Sequence, residues 1–230
     1  MGALSLRRRR DIATGSDIFE IKLGDEFLMS SRFTASEIAL ARLGLAPLSD
    51  ITSIDVLVGG LGLGYTARAV LEHRNVRSLT VLERLPEVIE WHRKALVPLG
   101  AELTADPRCR LIEGDFFGLM RTADPCLSLA GTTQRFHAII VDIDHSPRQL
   151  LDESHAPFYT TAGLAVLAYH LHPGGVFSLW SNDPPDEIFL STLREVFSCA
   201  LSRVVYFPNS AGDCAAANTV YVACNETGRL

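Results

Sequence analysis

The stretch VLVGGLGLGYTARAV, residues 56–70, joins an apolar run to a helix-like run through closely spaced glycines. Because glycine lacks a Cβ atom, such a segment can turn tightly and let its backbone approach a ligand closely. An apolar strand followed by this loop and a helix is typical of the first unit of a parallel α/β sheet. We therefore expect the loop at the carboxyl edge of a sheet, where open α/β folds bind ligands. A tight turn without a ligand is the alternative.

The rest of the chain repeats the alternation of strand and helix. After the strand at 53–60, apolar strands are predicted at 78–84, 109–115, 136–144 and 173–181, with helical segments between them. Two final segments, RVVYFPN and NTVYVAC, favour an antiparallel pair. Near-continuous apolar strands alternating with helices predict an α/β fold, with a Rossmann-like and mostly parallel seven-stranded sheet covered on both faces.

The first 46 residues have a different character from the α/β region that follows. Residues 18–30, IFEIKLGDEFLMS, alternate apolar and polar residues about a Gly-Asp turn and predict a small β-hairpin. A linking helix is predicted from Thr34. We expect residues 1–46 to form this N-terminal element and residues 47–230 the main domain. The basic run Arg7 to Arg10 is typical of a mobile, solvated tail, with contact to nucleic acid or a membrane as the alternative.

Charge and composition exclude several classes of protein. The formal net charge is −6, which argues against a nucleic-acid-binding surface. No apolar run reaches the roughly 20 residues of a membrane-spanning helix, and no signal sequence is apparent. The five cysteines form no Cys-x-x-Cys pair, so reduced thiols fit better than a disulfide framework or a zinc site. We expect a soluble, cytoplasmic protein without nucleic-acid or membrane partners.

The glycine spacing narrows the class of ligand. Gly59 precedes Gly60-x-Gly62-x-Gly64, and the third glycine of this run comes one residue too early for the dinucleotide pattern Gly-x-Gly-x-x-Gly. The spacing fits better the loop of methyltransferase-like folds that bind S-adenosylmethionine.

Acidic residues follow the next two predicted strands. Glu83 ends the second strand, where a carboxylate can accept hydrogen bonds from ribose hydroxyls. Asp115 follows the third strand, where it could accept from an adenine amine while Gly114 leaves room for the base. A surface acid at 83 and a helix cap at 115 are the alternatives.

The fourth strand ends in IIVDIDHSP and brings Asp142, Asp144 and His145 to the same sheet edge. A carboxylate beside a sulfonium donor could orient and deprotonate an amine nucleophile, and Asp142 is the best candidate for this role. Asp144 and His145 are further catalytic candidates, with capping of the next loop as the alternative. With Glu153 and His155 they could also suggest a metal site, but the spacing fixes no coordination geometry, so no metal is predicted.

The order of these motifs resembles the spermidine synthases, the polyamine aminopropyltransferases, as a divergent bacterial-type member. The resemblance extends from LGDEFLMSSRFTASE through VLVGGLGLG, VLERLPEVIEW, IEGDFF, FHAIIVDIDHSP and FYT to PGGVFSLWS. It implies a small N-terminal β domain, a methyltransferase-like Rossmann fold and a homodimer. It also implies that Glu83 holds the ribose, Asp115 the adenine and Asp142 the attacking amine.

Three departures from the family pattern affect the expected reaction. Gly62 stands where the family has an aspartate for the amine of decarboxylated S-adenosylmethionine. Ala35 and Ser36 replace a Tyr-His or Tyr-Gln pair before Glu37, and His145 replaces a second aspartate. The loss of the aspartate at 62 could make room for the carboxylate of intact S-adenosylmethionine.

Three functions therefore stay open. The first is transfer of an aminopropyl group from decarboxylated S-adenosylmethionine to an amine. The second is methylation of a small molecule with intact S-adenosylmethionine on the same fold, and the third is a non-catalytic dimer with a nucleoside pocket.

Overall fold

The computed structural model describes residues 2–12, 14–121, 128–129, 132–133, 135–208 and 216–225. A three-stranded antiparallel sheet comes first. Its strands are β1 (Leu4–Arg10), β2 (Asp17–Leu23) and β3 (Glu26–Ser30), in the order β1-β2-β3. The predicted hairpin is confirmed: β2 and β3 pair about Gly24, whose φ of +61° suits glycine.

The prediction of a mobile basic tail is wrong, because Arg7 to Arg10 form the end of β1 and pair with β2. Arg8 forms an ion pair with Asp17 and Arg9 with Glu20, so acidic groups on the neighbouring strand offset part of the positive charge. β1 is an edge strand, and charged side chains on an edge disfavour pairing with another chain. A basic run in the sequence is therefore compatible with an edge strand, which is what Arg7 to Arg10 form here.

The second sheet confirms the predicted seven-stranded, mostly parallel architecture. Its strand order is β11-β12-β10-β9-β4-β5-β6, with antiparallel pairing at β11–β12 and β12–β10 and parallel pairing elsewhere. Its strands are β4 (Ile54–Gly59), β5 (Val76–Glu83), β6 (Cys109–Glu113), β9 (Phe136–Val141), β10 (Leu171–Ser181), β11 (Cys199–Phe207) and β12 (Ala216–Cys224). Two short strands, β7 (Ser128–Leu129) and β8 (Thr132–Thr133), pair antiparallel as a separate two-stranded sheet.

Helices cover both faces of the large sheet. The α-helices are α1 (Ala35–Leu45), α2 (Tyr65–Leu71), α3 (Pro86–Arg93), α4 (Gly100–Ala105), α5 (Phe116–Leu119), α6 (Thr161–Tyr169) and α7 (Glu187–Val196), with 3-10 turns at Ala46–Leu48 and Glu153–Tyr159. Among the helices in the described ranges, none is long and apolar enough to cross a membrane.

Alternation along the strands builds two hydrophobic cores. Val56 and Val58 pack with the cluster that contains residues of α1, α2 and α3, whereas Leu57 packs with residues of α5, α6 and α7. This period of two is what a strand buried on both faces requires. The predicted linking helix α1 packs against α2 and against β10 and β12 of the large sheet. It runs through Gly44 to Leu45, and Thr34 makes no side-chain capping bond.

The topology brings the first and fourth predicted strands together. From β4 the chain proceeds outward through β5 to β6 and later returns on the other side of β4 as β9. This reversal is a topological switch point, the usual ligand position in such sheets. The backbone N–H of Asp142, just after β9, donates to the carbonyl of Gly59 at the end of β4 over 2.9 Å. The glycine loop and Asp142 therefore meet at the switch point.

Candidate functional site

A cavity of about 500 Å³ lies between the carboxyl edge of the large sheet and the N-terminal sheet. Seven of the ten predicted site residues line it: Gly60, Gly62, Glu83, Gly114, Asp115, Asp142 and His145. The other three, Gly59, Gly64 and Asp144, are not among its lining residues.

The glycine loop is shaped by backbone conformation and by close packing. Gly60 has φ of +94°, and a Cβ atom there would overlap the carbonyl of Asp142. At Gly59 and Gly64 a Cβ atom would meet the Phe116 ring and the Leu103 side chain at 2.7 and 2.5 Å. Gly59 and Gly64 therefore allow the loop to pack, whereas Gly60 and Gly62 contribute backbone to the cavity wall.

The carboxylate of Glu83 holds the glycine loop through hydrogen bonds to backbone N–H groups. Its Oε2 accepts from the backbone N–H of Leu61 and its Oε1 from that of Leu85, each over 2.9 Å. Burial raises the pKa of Glu83, and the surrounding backbone N–H groups oppose that rise. The backbone N–H groups of Leu61, Gly62, Arg84 and Leu85 surround this carboxylate, and its contact with a ribose stays a prediction.

Asp115 lies at the end of the cavity formed by β6 and α5. It occupies the N-cap position of α5 but makes no side-chain capping bond. Its side chain is exposed and lines the cavity. This geometry favours the ligand interpretation of Asp115 over the capping alternative, and the contact with adenine stays a prediction.

Asp142 faces the cavity at the switch point and is held by the first turn of α2. Thr66 Oγ1 donates to Asp142 Oδ2 over 2.6 Å. Burial raises the pKa of the Asp142 carboxyl to about 6, against the opposing effect of the Thr66 hydrogen bond. A carboxylate with a pKa nearer neutrality is a stronger base than an ordinary aspartate.

Glu37, on the first turn of α1, is a site residue that the sequence did not reveal as one. It lines the same cavity, is only 8% exposed, and accepts a hydrogen bond from Ser36 Oγ over 2.8 Å. Burial, together with the nearby Asp142 charge, raises the pKa of Glu37 to about 7. Glu37 and Asp142 form a carboxylate pair, an environment that favours a bound cation.

Asp144 lies in a hydrogen-bonded network below the cavity. It is 2% exposed and accepts from the backbone N–H of Leu151 and from Tyr159 Oη, each over 2.8 Å. His155 Nδ1 lies 2.8 Å from Asp144 Oδ1, the oxygen that also accepts from Leu151. This structure gives Asp144 a positioning role, in agreement with the loop-capping alternative. The catalytic role predicted for it finds no support in its surroundings, because its carboxylate faces the protein interior.

His155 is a second cavity residue that the sequence indicated only as part of a metal alternative. Its ring stacks on Phe117 with centroids 3.8 Å apart, and both residues line the cavity near Asp115. Asp144 fixes the orientation of this ring. A stacked aromatic surface of this kind is suited to a flat base.

The N-terminal sheet closes the cavity over the glycine loop. His145 Nε2 lies 2.9 Å from Glu26 Oε1 at the start of β3, and Met29 Sδ accepts from the backbone N–H of Leu63 over 2.8 Å. Met29 Sδ lies only 2.5 Å from the position that a Cβ atom of Gly62 would take. The expectation that the missing aspartate leaves free space beside residue 62 is therefore wrong, because Met29 fills that space.

Among the residues that the structure describes, no group of three or more His, Cys, Asp or Glu side chains is arranged to hold a metal ion.

A doubly wound α/β sheet with a glycine loop at the switch point defines a Rossmann-like protein of the methyltransferase fold class. Residues 40–201 match the family described as the spermine/spermidine synthase domain. The chain belongs to that family, as the order of its sequence motifs indicated.

Individual relatives and solved structures are also similar to this chain. The chain is 32% identical over 154 residues to polyamine aminopropyltransferase 2 of Pseudomonas aeruginosa, covering 63% of this chain and 40% of that protein. The spermidine synthase structure from Thermotoga maritima has a TM-score of 0.69 at 18% identity, over 98% of this chain and 70% of that one. Human methyltransferase-like protein 13, in complex with SAH, has a TM-score of 0.54 at 16% identity, over 84% and 80%.

The structural similarities establish the fold. The sequence matches cover between 40% and 50% of the lengths of the curated relatives.

Proposed function

We propose that this protein transfers an aminopropyl group from decarboxylated S-adenosylmethionine to a primary amine. Family membership supports this class of reaction. The observation that carries the proposal is the carboxylate pair of Glu37 and Asp142, which faces the same cavity as Gly60 and Gly62. An amine is protonated at neutral pH, and two buried carboxylates both attract its charge and can take up its proton.

The adenosyl part of the donor occupies the other end of the cavity in this proposal. Glu83 accepts from the ribose hydroxyls, and Asp115 accepts from the adenine amine. Gly60 and Gly62 contribute backbone to the cavity wall beside the donor, and their missing Cβ atoms leave room for the Asp142 carbonyl and Met29 Sδ. The donor is a co-substrate, and no metal takes part.

The reaction follows from this placement. An acceptor ammonium binds between the two carboxylates and gives a proton to Asp142, which frees the nitrogen lone pair. That lone pair attacks the aminopropyl carbon bonded to the sulfonium sulfur. The new C–N bond forms as the C–S bond breaks, and its electron pair goes to the sulfur of methylthioadenosine. Glu37 stabilises the positive charge that remains on the secondary ammonium product.

Methylation with intact S-adenosylmethionine is the second candidate, favoured by one observation. Residue 62 carries no carboxylate to select the amine tail of the decarboxylated donor, and Met29 is in its place. The site next to residue 62 therefore discriminates less between the decarboxylated and the intact donor than a site with a carboxylate would. A non-catalytic dimer that binds nucleosides is the third.

Calorimetry with three ligands separates these functions. The purified protein is titrated with decarboxylated S-adenosylmethionine, intact S-adenosylmethionine and methylthioadenosine, and release of methylthioadenosine is then followed with a panel of amines. We expect the decarboxylated donor to bind and methylthioadenosine to appear only when an amine is present. Selective binding of the intact donor would favour methylation, and binding of nucleosides without turnover would favour the non-catalytic dimer. Binding of none of the three by folded protein would exclude the proposed site.

Assembly and location are proposals that rest on the family resemblance. We propose a cytoplasmic homodimer, and light scattering of the purified protein measures the oligomeric state directly.

A further inference from the structure

Two cysteines lie directly opposite each other at the far end of the large sheet from the cavity. Cys199 begins the edge strand β11, Cys224 ends β12, and the two residues are register partners in the antiparallel pairing. Both are free thiols. Cys199 is exposed, whereas Cys224 is half-buried, so the pair can be reached from solvent on one side.

The spacing of antiparallel strands suits a covalent link between these residues. Directly opposed residues have Cα atoms about 4.5 to 5.5 Å apart, whichever kind of ladder pair they form. Disulfides span Cα distances of about 4.4 to 6.8 Å. Cys199 also lies close enough to Cys224 to raise the pKa of its thiol, as expected for register partners. The strands need not move far to bring the sulfur atoms together.

The surroundings hold this end of the hairpin in place. Both the backbone N–H and the hydroxyl of Ser198 donate to the carbonyl of Cys224, over 3.0 and 2.9 Å. On its other side β12 pairs with β10, where Val176 is the partner of Cys224. The thiol pair is therefore presented on a fixed backbone.

We propose that Cys199 and Cys224 are a redox modification site that forms a reversible cross-strand disulfide with a small-molecule disulfide such as oxidised glutathione. The exposed Cys199 thiolate attacks the oxidant and releases one molecule of reduced thiol. Cys224 then attacks the Cys199 sulfur of the mixed disulfide and releases the second. In sum, two protein thiols and one oxidant disulfide give one protein disulfide and two small thiols, so atoms and electrons balance.

The two cysteines are unequal, which sets this order. Burial and the neighbouring Cys199 raise the pKa of Cys224 to about 11, so little of its thiolate is present at neutral pH. We expect the first step at Cys199 to be fast and the closing step to be slower, and to accelerate as the pH rises.

The link would close the hairpin at the end opposite the cavity. Phe207 and Asn218, which line the cavity, lie at the other end of β11 and near the start of β12. The disulfide is therefore expected to stabilise the edge strand and to leave donor binding unchanged. Cross-linking a loop of this length predicts a rise in Tm of about 5 to 10 °C.

Intact-mass analysis tests the proposal with the full chain. Reduced protein is incubated with oxidised glutathione, excess reagent is removed, and mass, peptide map and Tm are recorded. Wild type should become two hydrogen atoms lighter through a Cys199–Cys224 link, and dithiothreitol should reverse both the mass change and the Tm rise. Cys109→Ser is the matched control, because Cys109 lies on β6 at the opposite edge of the sheet, and it should behave as wild type.

The serine variants define the roles of the two thiols. In Cys224→Ser the exposed Cys199 should accumulate a stable glutathione adduct, and in Cys199→Ser the link should not form. Persistent glutathione adducts on wild type without closure, a link to Cys109, Cys126 or Cys214, or a lower Tm on closure would each overturn the proposal. The mass and Tm measurements need neither donor binding nor turnover, so failure of the proposed transfer would not affect this test.

Discussion

Asp142 is the residue on which the proposed reaction most depends. It combines a position at the switch point with a carboxyl whose pKa is raised to about 6 by burial. Thr66 fixes one of its oxygens and leaves the other available to an amine. A general base of this kind commonly contributes a factor of about 10² to 10⁴ to a rate.

Asp142→Asn should lower the rate of methylthioadenosine release about a hundredfold or more. The amide can still accept from Thr66 but takes up no proton, so donor binding should persist. The measurement is turnover together with the Kd for methylthioadenosine, with Asp25→Asn in the exposed hairpin turn as control. Unchanged turnover in Asp142→Asn would contradict the role of base.

Glu37 should determine how activity depends on pH. Because the pKa of each carboxyl is raised, activity should increase with pH as the carboxylate pair loses its protons, with midpoints at about pH 6 and about pH 7. Glu37→Gln removes the carboxyl with the higher pKa, so the acidic limb should move to lower pH, toward the pKa of about 6 of Asp142.

The ratio of Glu37→Gln to wild-type rates at each pH cancels the ionisation of the acceptor amine itself. If the acidic limb of the pH profile stays in place in Glu37→Gln, ionisation of Glu37 does not limit activity and its proposed role is wrong. Donor affinity measured over the same range serves as the control, since Glu37 lies on the acceptor side.

At the scale of elements, β3 decides what the glycine loop can bind. Met29 on this strand fills the space beside Gly62 and accepts from Leu63, while Glu26 contacts His145 beyond β9. A register irregularity between β2 and β3 adjoins Met29. Such irregularities redirect side chains near functional sites.

Gly62→Asp combined with Met29→Ala should create a carboxylate for the amine tail of the decarboxylated donor. We expect the double variant to prefer the decarboxylated over the intact donor about tenfold more than wild type, the size expected for a charged hydrogen bond. Gly62→Asp alone should be destabilised, because φ is +48° and Met29 obstructs the side chain.

Calorimetry with both donors measures this change in preference, and thermal unfolding checks the single variant. A shift toward the intact donor in the double variant would contradict the proposed orientation of the donor tail.

Asp144 anchors the segment that joins β9 to the 3-10 turn at Glu153–Tyr159. Both oxygens of Asp144 have hydrogen-bond partners, from Leu151, His155 and Tyr159. In Asp144→Asn one oxygen becomes an NH₂ group, which is itself a donor and faces a donor of the protein. The free energy of unfolding should fall by about 1 to 3 kcal/mol. Urea unfolding measures this loss, with Asp50→Asn on the exposed surface as control. Full stability with lost turnover would instead support the catalytic role that the sequence suggested.

At the scale of the molecule, the sequence predicted the large sheet well because its strands carry their own pattern. Leu57 alternates with Val56 and Val58 between the two cores, and this period is visible in the sequence. The order of glycine loop, Glu83, Asp115 and Asp142 then placed one wall of the cavity, since successive parallel strands end at one edge.

The other wall depended on contacts between distant parts of the chain. Glu37 looks like an ordinary acid in a first helical turn, a position that favours acids for local electrostatic reasons. It becomes buried only because the N-terminal region lies over the sheet edge. In the same way, the arginines of β1 resemble a tail until Asp17 and Glu20 supply the neighbouring strand.

The buried carboxylate pair should make the stability of the whole molecule depend on pH. Ordinary values for Asp142 and Glu37 are 3.8 and 4.5, and folding raises them to about 6 and about 7. The native state therefore binds these protons more tightly than the unfolded state, so stability falls as the pH rises from about 4 to 7. Loss of stability at a charged site is a common consequence of function.

The double variant Glu37→Gln with Asp142→Asn should remove this dependence. Its Tm should exceed that of wild type by several degrees at pH 8, where both native carboxyls are ionised, and the difference should shrink toward pH 4, where both are protonated. Thermal unfolding across this range, with Asp25→Asn as control, measures the difference. Because a bound amine would neutralise the same charges, it should raise the wild-type Tm at pH 8 and leave the double variant unchanged. Equal Tm values for wild type and double variant at every pH would show that these two carboxylates carry no unfavourable charge in the folded protein.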